Sequence, residues 1–249
     1  LGLVFDDIFC THPIYNVRLK TKGKHMWKEI RNLWTSDNLL NEAWDLTYEA
    51  INIDAEMFND ATDALWGDNR KKIQKLIFKK DKLINKYERD IRRKVITHLT
   101  VQGNESIAAG LVLSTVIVDV ERIGDYIKNI VDLTEMHPAV LEGKNSKIKL
   151  QGIESSIKTM FKKAPECIES GDEDVALDIY SKTKEIGRTC DKNIKMLIET
   201  NEENLNTSIV AVLVLYFRYL KRINAHLRNI ISSVINPYDR IGFKPKKKS

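Results

Sequence analysis

The chain has 249 residues, of which 30% are charged and 43% are apolar, with 11 Gly and only 5 Pro. This length is enough to bury a sizeable core, and the composition favours a helix-rich protein folded in water. The formal net charge is +5, but Lys244, Lys246, Lys247 and Lys248 supply four of these charges. Because the rest of the chain is near neutral, the charge does not indicate a nucleic-acid-binding protein.

The three cysteines and the longest apolar blocks argue against a disulfide-rich, zinc-binding or membrane-spanning protein. Cys10, Cys167 and Cys190 lie far apart without a C-x-x-C or zinc-like spacing, so no disulfide framework or structural zinc site is predicted. A reducing cytoplasm fits this pattern best. The longest apolar blocks, Ile107 to Val118 and Ile209 to Phe217, are much shorter than the roughly 20 residues that span a bilayer. No membrane span is therefore predicted.

The first half of the chain predicts an arm followed by three helices. Residues 1–35 form an N-terminal arm without a clear periodic pattern. Beyond it, apolar residues recur at helical spacing from the expected N-cap Asp37 to Trp66. A second helix is expected from about Asn69 to Thr100 and a third from about Ser106 to His137.

The second half repeats this order. Helices are expected near residues 145–170, 172–200 and 204–236, and short connections between them force neighbouring helices to run antiparallel. The sequence therefore predicts an all-α fold of six long helices in two tandem three-helix bundles, residues 36–138 and 139–237. Residues 238–249 are predicted to form a basic tail.

One segment carries this repeat most clearly. Asp119 to Ile130 returns 100 residues later as Tyr219 to Ile230. The positions that keep their residue type are Arg122, Ile123, Asn129 and Ile130, which match Arg222, Ile223, Asn229 and Ile230. By contrast, Lys221 replaces Glu121 and Ala225 replaces Asp125. The first copy therefore keeps a pair of carboxylates that the second copy has lost.

Glu121 and Asp125 have the spacing of a shared ligand site. Residues four apart lie one above the other on a helix, and both point away from the apolar stripe that contains Ile123. Paired carboxylates suit hard cations, and they also hold iron, manganese or zinc when further ligands join them. Taken alone, such a pair is more often a solvated face with partners such as Arg122 and Lys128.

The wider pattern resembles the PhoU family. Its repeated unit carries an E-R-I-G-D segment followed by an Asn-Ile pair, here Glu121-Arg-Ile-Gly-Asp125 and Asn129-Ile130. Residues 80–85, Lys-Asp-Lys-Leu-Ile-Asn, are similar to the family's acid-x-x-hydrophobic-Asn/Asp segment on the preceding helix. The resemblance covers residues 37–236. The chain departs from the family at residues 106–108, Ser-Ile-Ala, where the family often has Asp-Leu-Arg.

The resemblance implies two similar three-helix bundles and a metal site. In the family, the Glu/Asp-x-x-x-Asp pair ligates metal, in some members as multi-iron or zinc clusters on the bundle surface. Carried onto this chain, Glu121 and Asp125 are the metal ligands, Asp81 is a third, and Asp119 and Glu88 are weaker additions. The metal would be iron, zinc, manganese or magnesium. The corresponding positions of the second half, where this site would be absent, are Thr183, Lys221 and Ala225.

The function implied by the resemblance is regulation. A PhoU-like protein would control phosphate uptake or phosphate signalling by contact with a phosphate transporter or a sensor kinase at the inner face of the membrane. It would be cytoplasmic or peripheral to that membrane, and the sequence leaves open whether it forms a homodimer. The chain has no Gly-rich phosphate-binding loop and no nucleophile elbow, so no enzymatic activity is predicted.

Three alternatives stay open. The chain begins at Leu1 rather than Met, which is compatible with a cytosolic PhoU-like domain cut from a sodium–phosphate or other inorganic phosphate transporter. A second alternative is a metal-dependent hydrolase on a helical bundle, although such sites usually take Glu-x-x-His pairs, which this sequence lacks. The third is a helical module with a purely structural role.

Overall fold

The computed structural model describes residues 38–66, 70–102, 106–136, 144–200 and 204–245. Within these ranges there are six long helices and no strand, which confirms the predicted all-α fold. The helices are α1 (Leu39–Trp66), α2 (Arg70–Gln102), α3 (Ile107–Met136), α4 (Lys144–Ser170), α5 (Glu173–Glu199) and α6 (Thr207–Ile235). The predicted N-terminal arm and Lys246–Lys248 lie outside the described residues.

Side-chain caps explain where three of the helices begin. The Asn38 side chain accepts hydrogen bonds from the backbone N–H groups of Leu40 and Asn41, so Asn38 caps α1. The predicted cap, Asp37, lies outside the described residues. Asp172 caps α5 through bonds from the backbone N–H groups of Asp174 and Val175, and Asn206 caps α6.

The helices pack as two groups of three around one core. In the first half, α1, α2 and α3 all contact one another extensively. In the second half, α6 packs closely on both α4 and α5, whereas α4 and α5 contact each other less. The two halves meet mainly along α3 and α6, and α1 also packs on α4. Buried apolar side chains from both halves belong to one continuous core.

The core repeats between the two halves as the helices do. Met57 and Phe58 on α1 and Met160 and Phe161 on α4 are all buried. The rings of Phe58 and Phe161 lie 5.6 Å apart between centroids, so the repeated pairs meet where α1 packs on α4. Ile157 precedes Met160 by three residues, as Asp54 precedes Met57 by three residues. Ile157 on α4 is therefore the residue equivalent to Asp54 on α1.

The chain after α6 folds back onto that helix. Gly242 adopts a φ of 84°, which a residue with a side chain rarely does. Its backbone N–H donates to Ser232 Oγ at 2.7 Å. The Asn236 side chain donates to the carbonyls of Arg240 and Phe243. Residues 238–245 of the predicted tail are therefore tied to the second half.

No helix in the described ranges combines the length and the hydropathy that a membrane crossing needs. The apolar blocks on α3 and α6 serve the protein core instead. Their central residues, such as Val116, Ile117, Tyr216 and Phe217, are fully buried against other helices.

Candidate metal site

The predicted pair Glu121 and Asp125 lies on one face of α3, one turn apart. Both are partly buried, with side chains 18% and 33% exposed. Arg122 lies beside them, 3.7 Å from Glu121 and 3.2 Å from Asp125. Burial, followed by the Asp125 charge, raises the pKa of the Glu121 carboxyl. The two carboxylates are thus partly removed from water and lie next to Arg122.

Asp81 on α2 is brought to this pair through Lys128. The Lys128 ammonium lies 2.9 Å from both Asp81 Oδ1 and Asp125 Oδ1, so it bridges α2 and α3. Burial would lower the pKa of Lys128, but these hydrogen bonds outweigh burial and raise it. The Asn85 side chain donates to Asp81 Oδ2 at 3.1 Å. Two predicted ligands, Asp81 and Asp125, therefore contact one lysine, and the charge of Lys128 also acts on Glu121.

The two weaker candidates lie differently. Glu88 forms an ion pair with Arg92 at 2.7 Å, and its charge contributes to the raised pKa of Glu121, so it borders the site. Asp119 is engaged elsewhere: its Oδ1 accepts from Asn229 Nδ2 and lies 2.7 Å from His226 Nδ1. Asp119 thus joins α3 to α6 and ties the two halves together.

One carboxylate in the site was missed by the sequence reasoning. Asp54 on α1 is fully buried, and neither of its oxygens has a hydrogen-bond partner. Burial raises the pKa of Asp54 well above its ordinary value, and the charges of Asp81, Glu121 and Asp125 raise it further. The available signal was an acid at helical spacing between the apolar residues Ile51 and Phe58.

Gly124 leaves space between these carboxylates. It is buried on α3, between the positions of Glu121 and Asp125. A methyl group placed on Gly124 would lie 3.3 Å from Asp54 Oδ1, 3.6 Å from Ile84 Cδ1 and 3.7 Å from Asp81 Oδ1. Carboxylate oxygens from α1 and α2 therefore border the space that the missing side chain leaves.

The ligand set fits a cation once Lys128 moves. In the part of the chain that the structure describes, no three His, Cys, Asp or Glu side chains are already arranged as metal ligands. The Lys128 ammonium, which lies between Asp81 and Asp125, explains part of this arrangement. A buried carboxylate without a partner is costly, and a bound cation removes that cost. Asp54 is thus the structural feature that favours a metal here.

A solvent route reaches the site. A surface groove of about 470 Å³ opens beside α3. Its lining residues are Phe78, Arg122, Asp125, Tyr126, Lys128, Asn129 and Asp132. A hydrated cation can therefore approach Asp125 and Lys128 from outside the bundle.

The second half has a different group at each matched position. Thr183 replaces Asp81 and is fully buried, and its carbonyl accepts a 2.7 Å hydrogen bond from Asn224 Nδ2. Asn224 replaces Gly124, so a side chain fills the corresponding space. Lys221, in place of Glu121, forms an ion pair with Asp191. The second half thus has few oxygens with which to bind a cation.

Comparison with known proteins identifies a domain in the first half of the chain. The sequence model of the PhoU domain matches residues 47–134, the part of the chain that contains Asp54, Asp81 and the α3 motif. A sequence comparison with curated proteins gives no match.

Two solved structures share the architecture. The crystal structure of PhoU from Pseudomonas aeruginosa has a TM-score of 0.72 and 24% identity, over 79% of this chain and 95% of that one. The phosphate transport system regulatory protein PhoU from Streptococcus pneumoniae has a TM-score of 0.69 and 17% identity, over 79% and 93%. Residues 47–134 therefore match a PhoU domain, and the described helices share the fold of these two PhoU structures.

Proposed function

We propose that this protein is a metal-binding regulator of phosphate uptake or phosphate signalling, and that it acts by contact rather than by catalysis. The PhoU domain supports the regulatory part, as does the structural likeness to a protein described as a phosphate transport system regulator. The partner would be a phosphate transporter or a sensor kinase at the inner face of the membrane.

The observation that carries the metal part is the unpartnered carboxylate of Asp54. It is fully buried in α1, close enough to Asp81, Glu121 and Asp125 for their charges to raise its pKa further above the ordinary value. Burial and the charges of these three acids both disfavour ionisation of Asp54, and a bound cation would offset this penalty. Iron, zinc, manganese and magnesium all accept such carboxylate ligands.

The residues that would hold the metal are Asp81, Glu121 and Asp125, with Glu88 at the border. A bound metal would supply positive charge that neutralises these carboxylates and links α2 to α3. The chain's own residues would then present the neighbouring face, which includes Arg122 and Tyr126, in one fixed arrangement to a partner.

Metal analysis of the purified protein tests the metal part. Elemental analysis of wild type and of the double variant Glu121→Ala/Asp125→Ala should show a metal that the double variant has lost. The matched control is Lys221→Ala, which truncates the position equivalent to Glu121 in the second half and should leave the metal content unchanged. Equal metal content in wild type and the double variant would show that the site is assigned to the wrong residues.

Metal-dependent contact tests the regulatory part. Purified protein should bind the phosphate transporter or the phosphate sensor kinase of its own organism, and the double variant should bind it more weakly. Phosphatase assays with added Mn²⁺, Fe²⁺ or Zn²⁺ test the competing enzyme function. Metal-dependent turnover that Glu121→Ala abolishes would replace the proposed role with that of a hydrolase.

A further inference from the structure

Asp54 indicates whether a cation would bind at the surface of α3 or deeper inside the first bundle. The other three carboxylates have protein partners: Asp81 and Asp125 contact Lys128, and Glu121 lies near Arg122. Asp54 has no such partner. It lies on α1 and is fully buried, whereas Glu121 and Asp125 lie on the partly exposed face of α3. A cation held only by the motif on α3 would leave this inner carboxylate without compensation.

Gly124 determines whether a ligand can reach Asp54. The space left by the missing side chain is bordered by Asp54 Oδ1 on one side and Asp81 Oδ1 on another, with Ile84 closing a third. Oxygens from α1 and α2 thus meet in one small space under α3. Such a site suits a small cation that prefers oxygen ligands, because the nearest polar atoms that border it are the carboxylate oxygens of Asp54 and Asp81.

Lys128 is the group that a cation would have to replace. Its ammonium neutralises Asp81 and Asp125 from the solvent side of the site, and it leaves Asp54 without a partner. The lysine side chain is long and flexible and reaches the groove beside α3, so its ammonium can move outward. The Lys128 ammonium therefore occupies a position at Asp81 and Asp125 from which a metal ion can displace it.

We propose that Asp54 is the innermost ligand of an oxygen-preferring divalent cation, which binds in the space over Gly124 and displaces the Lys128 ammonium from Asp81. This inference rests on the proposed metal-binding function and specifies its location. The cation then links α1, α2 and α3 inside the first bundle, instead of lying on the surface of α3 alone.

The second half supplies the matched substitution. By the correspondence of α1 and α4, Ile157 occupies the position of Asp54, and it is fully buried. The same backbone position in a closely related bundle therefore accepts isoleucine. The variant Asp54→Ile is expected to fold for this reason, and Asp54→Asn offers a smaller change of shape.

Calorimetric titration with Mn²⁺ as the probe, combined with urea unfolding in chelator and in Mn²⁺, tests the proposal. Asp54→Ile should bind Mn²⁺ at least about tenfold more weakly than wild type. In chelator it should unfold at a higher urea concentration than wild type, because a buried carboxyl without a hydrogen-bond partner has been replaced by an apolar group. Added Mn²⁺ should raise the unfolding midpoint of wild type but not of Asp54→Ile.

Two further variants keep the test decisive if Asp54→Ile fails to fold. Lys128→Met removes the competing ammonium and should bind Mn²⁺ more tightly than wild type. Gly124→Ala places a methyl group next to Asp54 and Asp81 and should bind it more weakly. The control is Glu154→Gln, which neutralises a buried carboxyl of the second half and should leave the Mn²⁺ affinity unchanged.

The outcomes separate this inference from the proposed function. If Asp54→Ile or Gly124→Ala binds Mn²⁺ as wild type does while Glu121→Ala/Asp125→Ala does not, the site lies on the surface of α3 and the inner position is wrong. Weaker binding by Lys128→Met would contradict the displacement. If wild type binds none of Mn²⁺, Mg²⁺, Zn²⁺ or Fe²⁺, the metal part of the proposed function is wrong and this inference with it.

Discussion

The two halves of this molecule share a fold but differ at one cluster of positions. In the first half, Asp54 and Gly124 border a small acidic space between three helices. In the second, Ile157 is buried at the position of Asp54 and Asn224 fills the position of Gly124, where its side chain bonds to the neighbouring helix. The second half therefore shows how this bundle packs when these two positions carry no carboxylate and no glycine.

This difference teaches which residues serve packing and which do not. Ile123 and Ile130 recur as Ile223 and Ile230, and all four are buried, so these positions build the bundle in either half. The fold does not require an acid at the position of Asp54, because the equivalent residue of the second half, Ile157, is a buried apolar side chain. A buried acid that packing does not require is typical of a functional site, and this is the basis on which we propose cation binding at Asp54.

The largest effect is expected from transferring the acid to the second half. Ile157→Asp buries a carboxyl without a partner and should lower the free energy of unfolding by about 3–5 kcal/mol. Urea unfolding with and without Mn²⁺ measures this. Mn²⁺ should not restore the stability, because Thr183, Lys221 and Ala225 surround the matched site. Recovery in Mn²⁺ would show that the second half can also bind a cation.

The buried acid of the second half should behave differently, because it has partners. Glu154 accepts hydrogen bonds from Trp66 Nε1 at 3.0 Å and from Tyr216, and so joins the two halves. Glu154→Ala leaves both donors unpaired and should cost about 2–4 kcal/mol in urea unfolding. Glu154→Gln keeps an acceptor oxygen and should cost less. Equal losses would mean that the two hydrogen bonds do not contribute.

The stability of the second half should also depend on pH through Glu154. Burial raises the pKa of its carboxyl above the ordinary value near 4.5, against hydrogen bonds from Tyr216 and Trp66 that lower it. The associated stability is therefore fully present below pH 4.5 and is lost as the pH rises through the raised pKa. Urea unfolding should show Glu154→Gln gaining on wild type as the pH increases. The exposed Glu166→Gln is the control and should follow wild type.

A smaller effect is expected at Asn224, the residue that fills the second half. Asn224→Ala removes the hydrogen bond to the Thr183 carbonyl and should lower the free energy of unfolding by about 1–2 kcal/mol. The opposite change, Gly124→Ala, gains helix propensity but places a methyl group 3.3 Å from Asp54 Oδ1, so these effects should offset each other and stability in chelator should change by less than about 1 kcal/mol. A loss at Gly124→Ala larger than at Asn224→Ala would contradict the assigned roles.

The smallest effect concerns the thiols of the second half. Cys167 and Cys190 are fully buried, and burial raises the pKa of each thiol to about 12. In a Cys10→Ser background, both should resist alkylation at pH 8 until urea unfolds the protein. Rapid labelling without urea would show that the second half opens independently of the first.

The helices could be predicted from the sequence because their signals are local. Apolar residues at helical spacing and the breaks between them placed α3 at Ser106 to His137, against Ile107–Met136 in the structure. The repeat likewise identified Glu121 and Asp125. Asp81 could be added only through the resemblance, since nothing within α2 itself marks that acid as a ligand.

The rest of the site depends on contacts between helices. In the sequence, Asp54 is a single polar residue within an apolar stripe. Only the packing of α2 and α3 on α1 brings three other acids close to it. The bridge that Lys128 makes, and the engagement of Asp119 by α6, follow from side-chain directions across helix interfaces. Periodicity along one helix does not contain that information.

The central claim is that the first half alone binds a cation. Calorimetric titration of Mn²⁺ into wild type, Glu121→Ala/Asp125→Ala and Lys221→Ala tests it most directly. We predict that the double variant loses Mn²⁺ binding and that Lys221→Ala keeps the wild-type affinity and stoichiometry. Wild-type affinity in the double variant, or a loss of binding in Lys221→Ala, would contradict the account.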